Sequence, residues 1–266
     1  MANPLEYWRR VVSRPNDDRI KTIAVATLVA LCSAIVVSTT SVALKPIQDA
    51  NIQAERQARM DLMLDTLPGL RELMLKAGVD ALESRIVDLT DGSFSEGIDP
   101  ARYDMGKAAE DPETSIELST DDDIAGLKRR ANFAPIYLLQ SNEELKIIVL
   151  PVQGAGYQST ITAMLALEAD LTTIAALSIV EQGDSPGLGA RIEDPEWLAL
   201  WPGTKIVDAD GNISVSVVRG KATEPYEVDG ISGATRTGNG ITNMLRFWLG
   251  ENGYGPFLER LKSEGL

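Results

Sequence analysis

Asp229-Gly230-Ile231-Ser232-Gly233-Ala234-Thr235-Arg236-Thr237-Gly238-Asn239-Gly240-Ile241 is the stretch from which the rest of the chain can be read. It holds four glycines and three hydroxyls, and Ile241, Met244, Leu245, Trp248 and Leu249 then recur at helical spacing. The loop therefore feeds the N-terminus of an amphipathic helix. Free backbone N–H groups at such an end, together with the macrodipole, attract anions, phosphate above all. Glycines let the backbone approach that ligand closely. A flexible loop with an N-cap at Thr237 or Asn239 fits the same residues, and both readings stay open on this stretch alone.

The 266 residues allow one large domain or two small ones, with ample core. The formal net charge is −14, unevenly spread. Residues 1–21 carry five basic and three acidic groups, 22–44 carry none, and the remainder holds 20 basic against 36 acidic. A domain this acidic repels phosphate backbones, so nucleic acid is not an expected partner. Histidine is absent, which removes the commonest metal ligand and general base. The single cysteine, Cys32, allows neither an internal disulfide nor a thiolate-ligated cluster. No metal site and no catalytic side-chain set is expected. Any redox chemistry must come from an organic cofactor or from other subunits.

Thr22–Leu44 is an uncharged run of 23 residues rich in Ala, Val, Leu and Ile. At about 1.5 Å per residue it reaches about 35 Å, enough to cross a bilayer core with some tilt. Its small polar members can bond back to helical carbonyls or to a neighbouring helix. A secretory signal peptide with cleavage near Ser41-Val42-Ala43 is the rival reading. The length of the apolar run, the long basic leader and Lys45-Pro46 favour a retained anchor. Basic residues before the span and an acidic bulk after it place the N-terminus in the cytoplasm and the main domain outside.

Four parts follow: a cytoplasmic leader (1–21), a transmembrane helix (22–44), a helical stalk (45–85) and a folded domain (86–266). The stalk reads as a polar amphipathic helix from Ile47 to about Leu67, stopped at Pro68-Gly69, with short helices at Leu70–Lys76 and Val79–Arg85. In the domain, Ile86–Thr90 reads as a strand. Residues 95–132 are acidic, and Asp121-Asp122-Asp123 lacks the spaced calcium-loop pattern, so a solvated face is expected. Ile136–Gln140 and Leu145–Val152 should form a hairpin, continued by Ile161–Leu167 and Thr173–Val180. Asp194 should cap a short helix through Trp201. Val207 and Ile213–Val218 should make a second hairpin around Asp210-Gly211. The fold class is α+β: an antiparallel or mixed sheet with flanking helices, hung from one membrane span.

Two more glycine clusters stand where strands end, the usual place for backbone to meet a ligand. They are Gly154-Ala155-Gly156-Tyr157-Gln158-Ser159 and Asp184-Ser185-Pro186-Gly187-Leu188-Gly189. Singly, each fits an ordinary turn. Three such clusters in one domain point to a shared pocket. Ser159 occupies the third glycine position of a dinucleotide fingerprint, so that motif is incomplete.

Asp229-Gly230-Ile231-Ser232-Gly233-Ala234-Thr235 resembles the flavinylation motif of the covalent-FMN-binding domain family, D-x-x-S/T-G-A-T. The other two clusters resemble that family's Gly-x-Gly and E-T-P-G-L-G segments, in the same order. Ile20-Lys21-Thr22, Cys32-Ser33, Val36-Val37-Ser38 and Leu44-Lys45-Pro46 are similar to one branch, the anchored flavin subunits of bacterial sodium-translocating NADH:quinone reductases. The related ferredoxin:NAD⁺ oxidoreductase complexes carry the same flavin domain, in their G subunit, and are the near alternative. A non-redox, membrane-anchored interaction protein is the alternative from another class.

The resemblance implies FMN attached to Thr235 through a phosphoester bond. Asp229, Ser232, Gly233 and Ala234 match the remaining motif, read by a flavin transferase that moves FMN from FAD with magnesium. It also implies that Ser185, Pro186, Gly187, Leu188 and Gly189 lie against the flavin, with Gly154, Gly156, Tyr157, Ser159 and Thr237 nearby. Asp184-Ser185 stands where Glu-Thr is usual, and Tyr157-Gln158 where Leu-Trp is common. The implied partners are the other reductase subunits: a membrane iron–sulfur centre as donor and the FMN-bearing B subunit as acceptor.

Overall fold

The structure is a computed structural model and describes residues 13, 15, 18–66, 83–100, 102–141 and 144–265, with backbone only for 41–43, 46–66 and 141. The chain divides into two units, Met1–Arg59 and Met60–Leu266. The expected helix at Leu70–Lys76 lies outside the described residues.

Helix α1 spans Arg19–Thr66. Asp18 starts it, accepting the Ile20 N–H at 2.8 Å. The anchor and the expected stalk helix are one element, because the helix runs on through Pro46. Its part Arg19–Thr40 is long and apolar enough to cross a membrane, 22 residues or about 33 Å. Thr39 donates to the Ile35 carbonyl at 2.6 Å, the back-bonding that lets a hydroxyl sit in an apolar helix.

The second unit is built on a six-stranded antiparallel sheet. Its strands are β1 (Glu83–Asp88), β2 (Phe94–Ser95), β5 (Phe133–Ser141), β6 (Glu144–Ala155), β7 (Thr160–Glu168) and β8 (Ile174–Glu181). Their order is β2-β1-β5-β6-β7-β8. Between β2 and β5 lie a short helix α2 (Met105–Glu110) and a small hairpin of β3 (Ser115–Glu117) and β4 (Arg129–Ala131). The α+β reading and the β5–β6 hairpin hold. Glu83–Arg85, expected as the end of a helix, are strand. They pair with Leu138, Tyr137 and Ile136, a case of tertiary pairing overriding local tendency.

Apolar alternation sets the faces of the sheet. Ile148, Leu150 and Val152 of β6 face one core and Ile147 and Val149 the other. Both faces are buried, which explains why β6 reads as one apolar run rather than an alternating one. Helices α4 (Thr235–Leu249) and α5 (Gly255–Glu264) cover the first face. Ile241, Met244, Leu245, Trp248 and Leu249 are all buried there, as their spacing requires. Trp248 Nε1 donates to the Gln153 carbonyl at 2.7 Å and Tyr254 Oη to the Pro151 carbonyl at 2.8 Å, fixing the helix ends to β6.

The second expected hairpin forms only at its tip. Asp208 accepts the Asn212 N–H at 2.9 Å, Gly211 takes φ +85°, and one bridge joins Val207 to Ile213. The chain then pairs in parallel: β9 (Ser216–Val217) with β10 (Glu227–Val228). Helix α4 draws this segment away, since Arg246 Nε donates to the Val215 carbonyl at 2.9 Å and its Nη2 to that of Ser214 at 3.0 Å. The helix starting at Pro195 is one turn long (α3, Pro195–Leu198). Asp194 stands at its N-cap with Pro195 opening the helix, as expected, but its carboxylate makes no capping bond and accepts from Arg191 Nε at 3.0 Å instead.

Burial pushes the Tyr103 hydroxyl, which donates to the Phe133 carbonyl at 2.8 Å, from 10.0 up to about 12. Tyr254, fully enclosed, moves the same way. A raised folded value means the contribution is intact below the unfolded pKa and is lost as pH rises through the folded one. Urea midpoints of the detergent-solubilised chain should therefore hold to pH 10 and fall between pH 10 and 12. A flat profile there would contradict the burial of these hydroxyls.

Candidate functional site

The three glycine clusters meet around the first turn of α4. Its N-cap is Ala234, with no side-chain cap and no acidic residue in the first turn. Neither Thr237 nor Asn239 caps the helix, so its leading N–H groups keep their bonding capacity for something outside the helix. Thr235 is the first helical residue and is exposed, as are Ser232 and Gly233. Asp229 fixes the loop's entry: its Oδ1 accepts the Ala222 N–H at 2.7 Å and its carbonyl accepts Trp197 Nε1 at 2.9 Å.

Asp184 joins the other two clusters to this turn. The carboxylate is buried, 5% exposed. It accepts the Thr237 hydroxyl at 2.6 Å, the Gln158 N–H at 2.9 Å and the Tyr157 N–H at 3.4 Å. The close approach of the 154–156 strand end requires glycine on the helix. A β-carbon on Gly240 would lie 2.5 Å from the Ala155 carbonyl oxygen. Ser159 Oγ accepts the Gly183 N–H at 2.6 Å, and Ser185 Oγ reaches Gln158 Oε1 at 3.4 Å. Gly154 packs on Met244 and Leu188 on Gly233, while Gly189 is buried beside Asp184 and Thr237. Leu188 and Tyr157 are about half exposed, apolar surfaces on the rim. Arg236 stacks on the Tyr157 ring, 5.2 Å from its centroid.

A cavity of about 320 Å³ opens on the neighbouring side of the same helix turn, within the range of small-molecule clefts. Residues 217–220 form one wall; 230–235, with Gly238 and Asn239, form the other. Thr235 lines it. The expected residues thus fall in two groups. Ser232, Gly233, Ala234 and Thr235 line the cavity; Thr237, the 154–159 loop and the 184–189 loop build the adjoining side.

Sequence reasoning missed Asp184 as the link and Val217–Gly220 as a wall. The signal for the second was present, since Arg219-Gly220 is another glycine at a strand end. In the acidic run 121–123, Asp123 serves the backbone, accepting the Leu127 and Lys128 N–H groups, both at 2.7 Å, and Asp122 accepts from Ser119 Oγ at 2.6 Å.

Asp184→Ala should cost about 2 kcal/mol or more, because it strands a buried hydroxyl and two N–H groups. Asp184→Asn should recover little, since its amide can present N–H to N–H. Thermal melts of the full chain decide this, and an Asp184→Ala melt equal to wild type would remove Asp184 from its linking role.

The residues fit a flavin phosphate: an accessible hydroxyl, uncapped N–H groups, a cleft and apolar rim side chains. Residues 156–250 match the FMN-binding domain family, which marks this part of the chain as an FMN-binding domain and the protein as a flavoprotein. The C subunit of the Na(+)-translocating NADH-quinone reductase of Pseudomonas aeruginosa is 39% identical over 254 residues, covering 92% of this chain and 97% of the relative. That of Vibrio campbellii is 37% identical over 257 residues, covering 94% and 98%. The crystal structure of Shewanella oneidensis NqrC superposes with a TM-score of 0.69 at 31% identity, over 81% of this chain and all of that one. The chain belongs to the family of C subunits of the Na(+)-translocating NADH-quinone reductases, and so to a multi-subunit oxidoreductase.

Proposed function

We propose that this protein carries FMN covalently on Thr235 and relays electrons to a second flavin subunit. The observation that carries this reading is the exposed Thr235 hydroxyl, lining the cavity at an uncapped helix start within Ser-Gly-Ala-Thr. Thr235 Oγ1 forms the ester bond to the FMN phosphorus of FAD, the bond to AMP breaks, and the hydroxyl proton passes to solvent. A flavin transferase with magnesium performs this, reading Asp229, Ser232, Gly233 and Ala234. Asp184 holds Thr237 and the 157–158 backbone in place beside the ester. Leu188 and Tyr157, with Ser185, Pro186, Gly187 and Gly189, offer the surface against which the ring system rests. Gly154, Gly156 and Ser159 shape the loop that supports it. When bound, FMN supplies the capacity to accept and pass single electrons.

The donor is an iron–sulfur centre of the membrane subunits and the acceptor the FMN-bearing B subunit. Residues 1–21 face the cytoplasm, 22–44 span the bacterial inner membrane, the segment from 45 leads as a stalk to the domain, and the periplasmic FMN-binding domain begins by β1 at Glu83. The basic leader and acidic remainder support that orientation. A covalent bond keeps the cofactor where no free FMN pool could replace it. The test is flavin fluorescence of the denatured full chain in a gel, after co-expression with a flavin transferase. A fluorescent band supports the reading; a dark wild-type band refutes it and leaves an anchored interaction protein.

A further inference from the structure

We propose that Arg219 is the countercharge of the phosphoester on Thr235, and that the slot between residues 217–220 and 230–239 holds the phosphate end of the cofactor arm. This rests on the covalent reading above and names the residue that would stabilise its charge. Arg219 is the one charged residue lining the cavity that Thr235 also lines. It has no hydrogen bond, ion pair or ring contact among the described residues. Other arginines are engaged: Arg85, Arg191 and Arg260 in ion pairs, Arg246 on carbonyls. An uncommitted guanidinium in a chain of 39 acidic and 25 basic residues has many carboxylates available, yet pairs with none described. Arg–phosphate pairs are charge-assisted and planar, the geometry a guanidinium fork suits.

Arg236, adjacent to Thr235 in sequence, is the obvious rival and faces elsewhere. Its guanidinium lies on Tyr157, on the side of the helix turn occupied by the 154–159 loop, and it is not part of the cavity lining. Arg219 is held opposite the motif by backbone alone. Val218 N–H donates to the Val228 carbonyl at 3.0 Å and Gly230 N–H to that of Gly220 at 2.9 Å. The two walls are so close that a β-carbon on Gly230 would sit 2.0 Å from the Val218 carbonyl oxygen and 3.5 Å from Arg219 Cα. The backbone at Arg219 is therefore placed opposite the motif by the parallel β9–β10 pair and does not depend on the flavin for its position.

The experiment compares thermal melts of the detergent-solubilised full chain, made with and without the flavin transferase, at low and high salt. Wild type, Arg219→Ala, Arg219→Lys and Arg236→Ala are measured. Flavinylation should raise the wild-type melting temperature, and salt should shrink that gain, because an exposed charge pair is screened. Arg219→Ala should leave the flavin-free melt unchanged, lose most of the gain and lose its salt dependence. Arg219→Lys should restore part of both, and Arg236→Ala should keep the salt dependence. The countercharge role is overturned if flavinylated wild type shows no gain, if Arg219→Ala keeps the wild-type gain and its salt response, or if only Arg236→Ala removes them. Failure of the covalent reading is separate: the wild-type gel band would be dark before any melt is compared.

Discussion

Thr235→Ala should abolish the proposed covalent flavin while leaving the fold intact. That pairing of outcomes is expected because Thr235 is exposed and its side chain makes no capping bond. Surface substitutions of this kind move stability by about 0.5 kcal/mol or less. The flavin-free variant should therefore melt with the flavin-free wild type. In denaturing gels the wild-type chain co-expressed with the transferase should fluoresce and Thr235→Ala should be dark. Thr237 cannot substitute, because its hydroxyl is 1% exposed and already donated to Asp184. Thr235→Ser retains a hydroxyl on the same helical residue and should stay fluorescent. A fluorescent Thr235→Ala band would move the attachment to another hydroxyl, Ser232 first, since it is the other exposed hydroxyl lining the cavity.

Trp248→Ala is the largest stability change expected, about 3–5 kcal/mol. The indole is fully buried, lies edge-on to Phe247 with centroids 5.5 Å apart, and is 5.3 Å from Tyr254. Its removal leaves a cavity under α4 and strands the Gln153 carbonyl that Nε1 satisfied at 2.7 Å. Because Gln153 precedes Gly154 on β6, the loss also frees the strand end that runs into the 154–159 loop. Chemical denaturation should show a lower midpoint with an unchanged slope. A shift below about 1 kcal/mol would mean that the helix is held mainly by other residues of its face.

The long strands and the last amphipathic helix were legible because their apolar periods are local. Ile241 to Leu249 declares its buried face unaided, and β5 to β8 are joined in sequence order by short turns. What escaped depends on distant pairing. Glu83–Arg85 become strand only because β5 offers an edge, and Ser216–Val217 choose Glu227–Val228 because Arg246 occupies the preceding carbonyls. The candidate site divides the same way. Thr235 and its motif lie in one stretch, whereas Asp184 meets Thr237 across 53 residues. Arg219 joins the cavity through a parallel pairing that no hairpin signal announces.

The sheet's first face is closed in part by residues from Thr235 onward, including Trp248, Tyr254 and Phe257. During synthesis, strands β1 to β8 are complete while Leu150 of β6 still lacks the cover of α4. A nascent or truncated chain ending before Thr235 thus exposes a broad, sticky apolar surface, the kind that recruits chaperones and proteases. The same late segment that carries the proposed attachment hydroxyl also contributes to sealing the core. Closure of that face and presentation of Thr235 at the start of α4 are consequently reached together.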